Sequence, residues 1–372
     1  MRFPQRLSAA VAALSVLTLA ACGGSSDEPA AAGPTSTADP GKASAVTPVS
    51  DDIIAAAEKE GSVLMYSNAN SEIMKPLATA FMKKYPKIQI KNLDLEDTQI
   101  VERYKSEAAT GARTADLVMM SNQPVMSRFA GDGHITDYKD PNVANLPAHA
   151  RLAPGVVAMS QDPVVALFNK SLLPKDEQPT SMGEFAEMAP KLKGKIGVVD
   201  ITNAIGYYAT ASYIKRAGED GWKNLEALGP SSGVENGAGN IAQKMLQGGY
   251  SASFFVLGSV RPLITGDAAK VLNYAYLTDG TPLVPRAIGI TAKAQHPNAA
   301  KVFLNYALSV EGQQEACKGG FSPYRAGVKC PYGLAAIEDA VGKDNVIIDG
   351  WAPEFVTGQA ATVKRWNEVF GR

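Results

Sequence analysis

Apolar residues recur along this chain in two alternating rhythms. Short unbroken runs read as buried strands, and stripes at three- and four-residue spacing read as helices. A helix over residues 53–59 can be capped by Ser50 or Asp51 and is stopped by Gly61. The run VLMY at residues 63–66 predicts a strand. The polar loop Ser67, Asn68, Ala69, Asn70 follows, and Ser71 opens a helix whose apolar face carries Ile73, Leu77, Ala80 and Phe81. Tyr85 and Pro86 end it. A strand over 88–90, a helix over 98–110 and a strand over 115–120 complete the series. Strands alternating with helices predict a parallel sheet with both faces covered. Ligands of such open sheets sit beyond the carboxyl ends of the strands. That rule places residues 67–70 and 121–123 on one rim, each before a helix start with free N–H groups.

The middle of the chain repeats the pattern. A strand over 196–199 exits through residues 200–203 into a helix that starts at Ala204 and runs to about residue 217. A further helix covers 222–228, and residues 230–239 read as a turn-rich loop. Asn240 opens a helix over 241–246, and residues 253–257 form the next strand. An apolar strand over 271–277 then meets the turn Asp279-Gly280, where glycine supplies backbone freedom. A strand over 287–290 leads to Pro297 and a helix over 298–308, with Ala299, Ala300, Phe303, Leu304 and Ala307 on one face. Helical pieces over 334–341 and 353–370 end the chain.

The stretches LMYSNANSEIMKPLATAFMKKYPKIQI, ADLVMMSNQPVMSRFAGDGHITDY, DGTPLVPRAIGI and HPNAAKVFLNYALSVEGQ resemble the ferric-iron-type branch of the type 2 periplasmic binding proteins. The resemblance covers nearly all of residues 51–372. It implies an α/β fold of two lobes, each a sheet flanked by helices, joined by crossover hinge strands near 164–169 and 272–290. The first lobe would span 51–168 and the second 169–278, with 279–372 returning to the first. A solute would lie between the lobes and be handed to the permease and ATPase subunits of an ABC importer. The family puts the helix starts near Gly206-Tyr207 and Gly239-Asn240 on the cleft.

Together with the rim loops, this marks Ser67, Asn68, Asn70, Ser121, Asn122, Asn203, Gly206, Tyr207 and Asn240 as candidate ligand-binding residues, with Arg261 as a fixed positive charge. That chemistry suits a small anion or a phosphorylated or carboxylated organic solute. No rim shows the acidic cluster that a polyamine would need. The family's paired tyrosines would follow the strand 253–257, where this chain reads Gly258-Ser259-Val260-Arg261, and its histidine would fall near Asn70. Both departures argue against ferric iron; ferric iron or an iron chelate stays the alternative ligand.

Arg2 and Arg6 precede an apolar run over 7–21 that ends at Cys22 in a sequence resembling a lipobox. This predicts an export signal over 1–22, lipidation of Cys22 and a protein held on the outer face of the cytoplasmic membrane, plain cleavage with an incidental Cys and a periplasmic location being the alternatives. Residues 23–50 are rich in small and polar residues without an aromatic and read as a flexible tether. Export to an oxidising compartment predicts that Cys317 and Cys330 pair, two buried thiols being the alternative.

The chain's 372 residues suffice for two domains of about 150 residues. Its net charge of −1 gives no sign of nucleic-acid binding. A monomer without a cofactor is expected. His134, His149 and His296 have no partner at metal-ligand spacing. Three catalytic look-alikes lack their context. Gly229 to Gly233 matches G-x-S-x-G but follows a helix, Ser212 to Lys215 lies inside a helix, and Gly237 to Ala242 has no strand before it. No catalytic residue is therefore assigned. A secreted hydrolase built on the same lobes and acting through Ser231, or a scaffold for sensing or adhesion, are the readings from other classes.

Overall fold

The computed structural model describes residues 47–372, so the expectations for the export signal, Cys22 and most of the tether lie outside the described residues. Residues 47–49, expected within the tether, are instead held against the folded part. The Thr47 amide donates to Asn142 Oδ1 at 3.0 Å, Asn305 Nδ2 donates to the Thr47 carbonyl at 3.0 Å, and Val49 is buried.

Strands β1 (Ser62–Ser67), β2 (Gln89–Asp94) and β3 (Leu117–Met120) run parallel in the order β2-β1-β3. Helices α1 (Asp51–Glu60), α2 (Ser71–Lys84), α3 (Asp97–Thr110) and α4 (Gln123–Gly131) surround them. After β4 (Arg151–Ala153) comes β5 (Val156–Asn169), whose fourteen residues are all buried. The second lobe holds α5 (Met182–Met188), β6 (Ile196–Val199), α6 (Ala204–Leu228), β7 (Ser232–Glu235), α7 (Ala238–Leu246), β8 (Ala252–Leu257) and β9 (Leu272–Ala275). Here β6 lies parallel between β7 and β8. Strand β10 (Thr281–Ile290) then returns, and β11 (Val346–Ile347) pairs with its start.

One path of paired strands, β2-β1-β3-β10-β5-β8-β6-β7, passes through both lobes. β5 makes this possible. Its first half pairs antiparallel with β10 in one lobe, and its second half pairs with β8 and β9 in the other. A strand buried on both faces along its whole length needs an almost unbroken apolar sequence, and VVAMSQDPVVALFN supplies it apart from the polar stretch at the waist.

The core follows this division. Met65, Phe81, Phe303 and Tyr306 pack in one lobe, with Phe81 and Phe303 edge-to-face at 5.1 Å. Phe168, Phe185, Tyr208, Trp222 and Phe254 pack in the other. The alternation of elements was read from sequence, with three departures. Residues 232–235 were expected as loop but form β7, because Gly197 and Gly233 lie against the ring of Tyr250 and leave no apolar signature. The strand expected over 271–277 is β9 alone, since the helix Ala268–Val271 takes its first residue.

The third departure concerns the end of the chain. Residues 279–372 were expected to return wholly to the first lobe. The helices Pro297–Ala307 and Val310–Lys318 do pack there. From Gly350 onward the chain crosses again. Ala352, Phe355, Trp366 and Phe370 join the core that contains Tyr208 and Trp222. Arg365 lies over the Trp222 ring at 4.5 Å and holds Glu219 through two bonds of 2.9 and 2.8 Å.

Cys317 and Cys330 are bonded, thirteen residues apart, and close the loop that carries Ser322. Replacing both by serine is expected to cost about 3 kcal/mol through the freed loop entropy. Urea midpoints of the two forms, each measured without reductant, give the difference.

Candidate functional site

A cavity of about 240 Å³ opens where the carboxyl ends of strands from both lobes meet. From the first lobe it is lined by Asn68 beyond β1, Asp94 to Thr98 from the end of β2 into the first turn of α3, and Ser121 and Asn122 beyond β3. From the second it is lined by Thr202 to Ile205, which lead from β6 into the first turn of α6, and by Leu257 at the end of β8. Arg286 of β10 lies at the junction. The first turns of α3, α4 and α6 therefore border the same space, and each brings amide N–H groups without partners inside its helix.

Local capping fixes these turns. Asn122 Oδ1 accepts from the Val125 amide at 3.2 Å. Asn203 Oδ1 accepts from the Ile205 amide at 2.9 Å while its Nδ2 donates to the Asn236 carbonyl at 3.0 Å. Asp200 Oδ1 holds the Thr202 amide and hydroxyl at 2.8 and 2.7 Å.

Four of the ten candidates drawn from sequence line the cavity: Asn68, Ser121, Asn122 and Asn203. The other six are elsewhere, each for a visible reason. Ser67 is buried beneath the rim, its hydroxyl on Asn92 Oδ1 at 2.7 Å. Asn70 caps α2, accepting from the Ile73 amide at 3.0 Å. A side chain at Gly206 would strike the Asp200 carbonyl oxygen at 2.2 Å, so this glycine serves close backbone packing beside the site. Tyr207 points into the core and donates to the Phe355 carbonyl, as Tyr208 does to the Gly350 carbonyl. Asn240 is exposed on α7, away from the cavity lining.

Arg261 is 2% exposed and occupied behind the waist. It donates to the Gly258 carbonyl, the Tyr276 hydroxyl and Ser322 Oγ, each at 2.6 Å, and lies over the Tyr332 ring.

The fixed positive charge at the cavity is instead Arg286, 3% exposed. Its Nε donates to Asp162 Oδ2 at 3.1 Å, and its Nη1 donates to the Asn68 carbonyl and side chain at 3.1 and 2.6 Å. Asp162, 1% exposed on β5, also accepts from the Ser322 amide at 2.9 Å. A charged residue inside ten consecutive buried strand positions was the available signal for Arg286.

The expectation that no rim shows an acidic cluster is corrected: Asp94, Glu96 and Asp97 all line the cavity. Asp94 ends β2 and the other two follow it, at a carboxyl end that obeys the same rule that marked the ends of β1 and β3. Asp97 is 6% exposed. Its Oδ2 accepts from the amides of Asn122 and Ser121 at 2.7 and 3.2 Å, while its buried Oδ1 has no hydrogen-bond partner among the described residues.

Burial pushes the Asp97 carboxyl up to about 6, against the pull of the two amides and of Arg286. A carboxyl raised in the fold destabilises the folded state when ionised. That cost is complete above pH 6 and disappears as the pH falls towards the unfolded value near 3.8. Asp97→Asn is therefore expected to stabilise the empty protein by about 1–3 kcal/mol at pH 7.5. Melting curves from pH 4 to 8 should show the gain shrinking below pH 6.

The catalytic look-alikes stay apart from this site. Ser231 lies in a short turn between α6 and β7, with a helix before it and a strand after it. Ser212 bonds Asp349, and Lys215 pairs with Asp349 and Glu354 at 2.9 and 3.0 Å. His296 caps a helix and contacts Ser62, while His134 packs beside Tyr104 and Phe129. Among the described residues no group of three or more His, Cys, Asp or Glu is placed to hold a metal.

Residues 76–339 match the family model of bacterial extracellular solute-binding proteins. Among solved structures the chain is similar to the substrate-binding protein of an ABC transporter from Agrobacterium tumefaciens, at 20% identity over 83% of this chain and 94% of that one, TM-score 0.74. It is similar to the periplasmic binding protein AfuA from Actinobacillus pleuropneumoniae with fructose-6-phosphate bound, at 18% identity over 84% and 99%, TM-score 0.68. It is also similar to iron-bound HitA from Pseudomonas aeruginosa, at 17% identity over 83% and 99%, TM-score 0.68. No curated protein matches the sequence.

Proposed function

The chain belongs to the bacterial extracellular solute-binding proteins, and on that premise we propose that it captures a small organic solute between its lobes for an ABC importer. The observation that carries the reading is the 240 Å³ cavity bordered by three helix starts and Arg286. An anionic group of the solute, phosphate or carboxylate, is held by free backbone amides in the first turn of α6, in the cavity that Arg286 also lines. No covalent chemistry is involved. Closure is absorbed where β5 and the β9–β10 connection cross between the lobes. Cys22 carries the lipid, and residues 23–46 act as tether, so that the folded part works beside the membrane and its permease.

Native mass spectrometry of protein purified without refolding, paired with small-angle scattering, tests this reading. The expected result is a co-purified solute of low mass and a smaller radius of gyration when it is bound. A protein that neither carries a solute nor contracts with any fraction of a bacterial metabolite extract would exclude it.

Ferric iron remains a second reading because relatives of this fold bind it, as in the iron-bound protein from Pseudomonas aeruginosa. Asp94, Glu96 and Asp97 line the cavity but are not grouped to hold a metal, and among the described residues no tyrosine lines it, so a ferric ion would need oxygen donors brought by a chelator. Titration with ferric citrate, followed by iron analysis of the desalted protein, separates the two.

A further inference from the structure

The cavity is not uniform in charge, and its first-lobe side is organised around an acceptor with nothing to accept. Asp97 Oδ2 is pinned by the amides of Ser121 and Asn122, which fixes the plane of the carboxylate. Its other oxygen, Oδ1, is buried without a hydrogen-bond partner among the described residues, in a residue that lines the cavity. Buried carboxylate oxygens are almost always bonded, and a missing partner costs free energy that a donor recovers.

Asp94 and Glu96 line the same cavity, with the Glu96 side chain turned to the Gln99 amide as the cap of α3, and Arg286 is the one basic residue among the lining. Its guanidinium is already paired with Asp162. The facing wall, Thr202 to Ile205, presents no charged side chain and begins a long helix whose amide end favours a negative group.

We propose that the captured solute is bipolar, with a cationic nitrogen donating to Asp97 Oδ1 and an anionic group at the start of α6. The inference rests on capture in this cleft and adds the second pole of the solute. A volume of about 240 Å³ holds roughly eight waters, which suits a short-chain zwitterion. Charge selects in both directions. A plain anion fills the α6 amides but leaves Asp97 Oδ1 without a donor, and a plain amine leaves those amides unfilled.

Isothermal titration calorimetry with matched probes tests this: O-phosphoethanolamine against ethyl phosphate, β-alanine against propionate, taurine against ethanesulfonate, and ethanolamine alone. At least one zwitterion is expected to bind tenfold or more tightly than its partner lacking the amine. Asp97→Asn should shrink that ratio at least tenfold, and Glu96→Gln two- to fivefold. Far-UV circular dichroism checks that each variant is folded, and the double variant Asp94→Asn/Glu96→Gln supplies the comparison if Asp97→Asn is not. An anion that binds as well as its amino partner would overturn the proposal. So would ethanolamine matching O-phosphoethanolamine, an unchanged ratio in the folded variants, or no zwitterion binding at 1 mM. The capture reading is judged apart from it: contraction in scattering with some other solute leaves that reading standing while this one falls.

Discussion

Replacing Arg286 by alanine is expected to destabilise the protein by about 3–5 kcal/mol and to abolish solute capture at the same time. The stability loss comes from Asp162. At 1% exposure its carboxyl would be left with the Ser322 amide at 2.9 Å, having lost the guanidinium at 3.1 Å. The binding loss comes from the cavity, because Arg286 also holds the Asn68 loop through its carbonyl and its side chain. Urea midpoints measure the first effect and titration of the co-purified solute the second. Adding Asp162→Asn should restore most of the stability and none of the binding. If Arg286→Ala and the double variant unfold at the same midpoint, the stranded carboxylate is not the cause.

Trp366→Ala should cost a similar amount, about 3–5 kcal/mol, through the cavity it leaves. Trp366 is fully buried, stacked on Phe370 at a ring separation of 4.2 Å, in the core that includes Trp222 and Leu225 of α6. The location of the damage matters more than its size. Hydrogen exchange should accelerate first in α6 and β8, while the helix Pro297–Ala307 keeps its protection. Loss of protection in that helix first would mean that the carboxyl-terminal helix belongs energetically to the other lobe.

The difference between these two residues explains what the sequence could reveal. Elements with a strong local period were legible. The helix Pro297–Ala307 has its proline at the start and its apolar stripe in place, and Gly218 divides α6 where two helices were expected. Contacts between distant segments were not legible. Nothing in the local pattern of Trp366 says that its partners lie near Trp222 rather than near Phe303. The candidate site divides along the same line. Asn68, Ser121, Asn122 and Asn203 follow from strand ends, a local rule. Tyr207 and Arg261 have suitable chemistry at suitable positions, yet one side chain faces the core and the other the back of the waist. Sequence position does not fix the direction of a side chain at the end of an element. Arg286, Asp94, Glu96 and Asp97 obeyed readable rules, a charge inside a buried strand and the end of β2.

The final crossing of the chain has a mechanical consequence. β5, the β9–β10 connection and the segment around Gly350 tie the two lobes together at three places along the waist. Two bodies joined at three separated points cannot shear or twist freely, and bending about one line is the freedom left to them. Few relative orientations are then lost when a solute arrives, so little of the grip is dissipated in arresting wobble. A deletion that severs the third tie would loosen capture even if every residue lining the cavity were untouched.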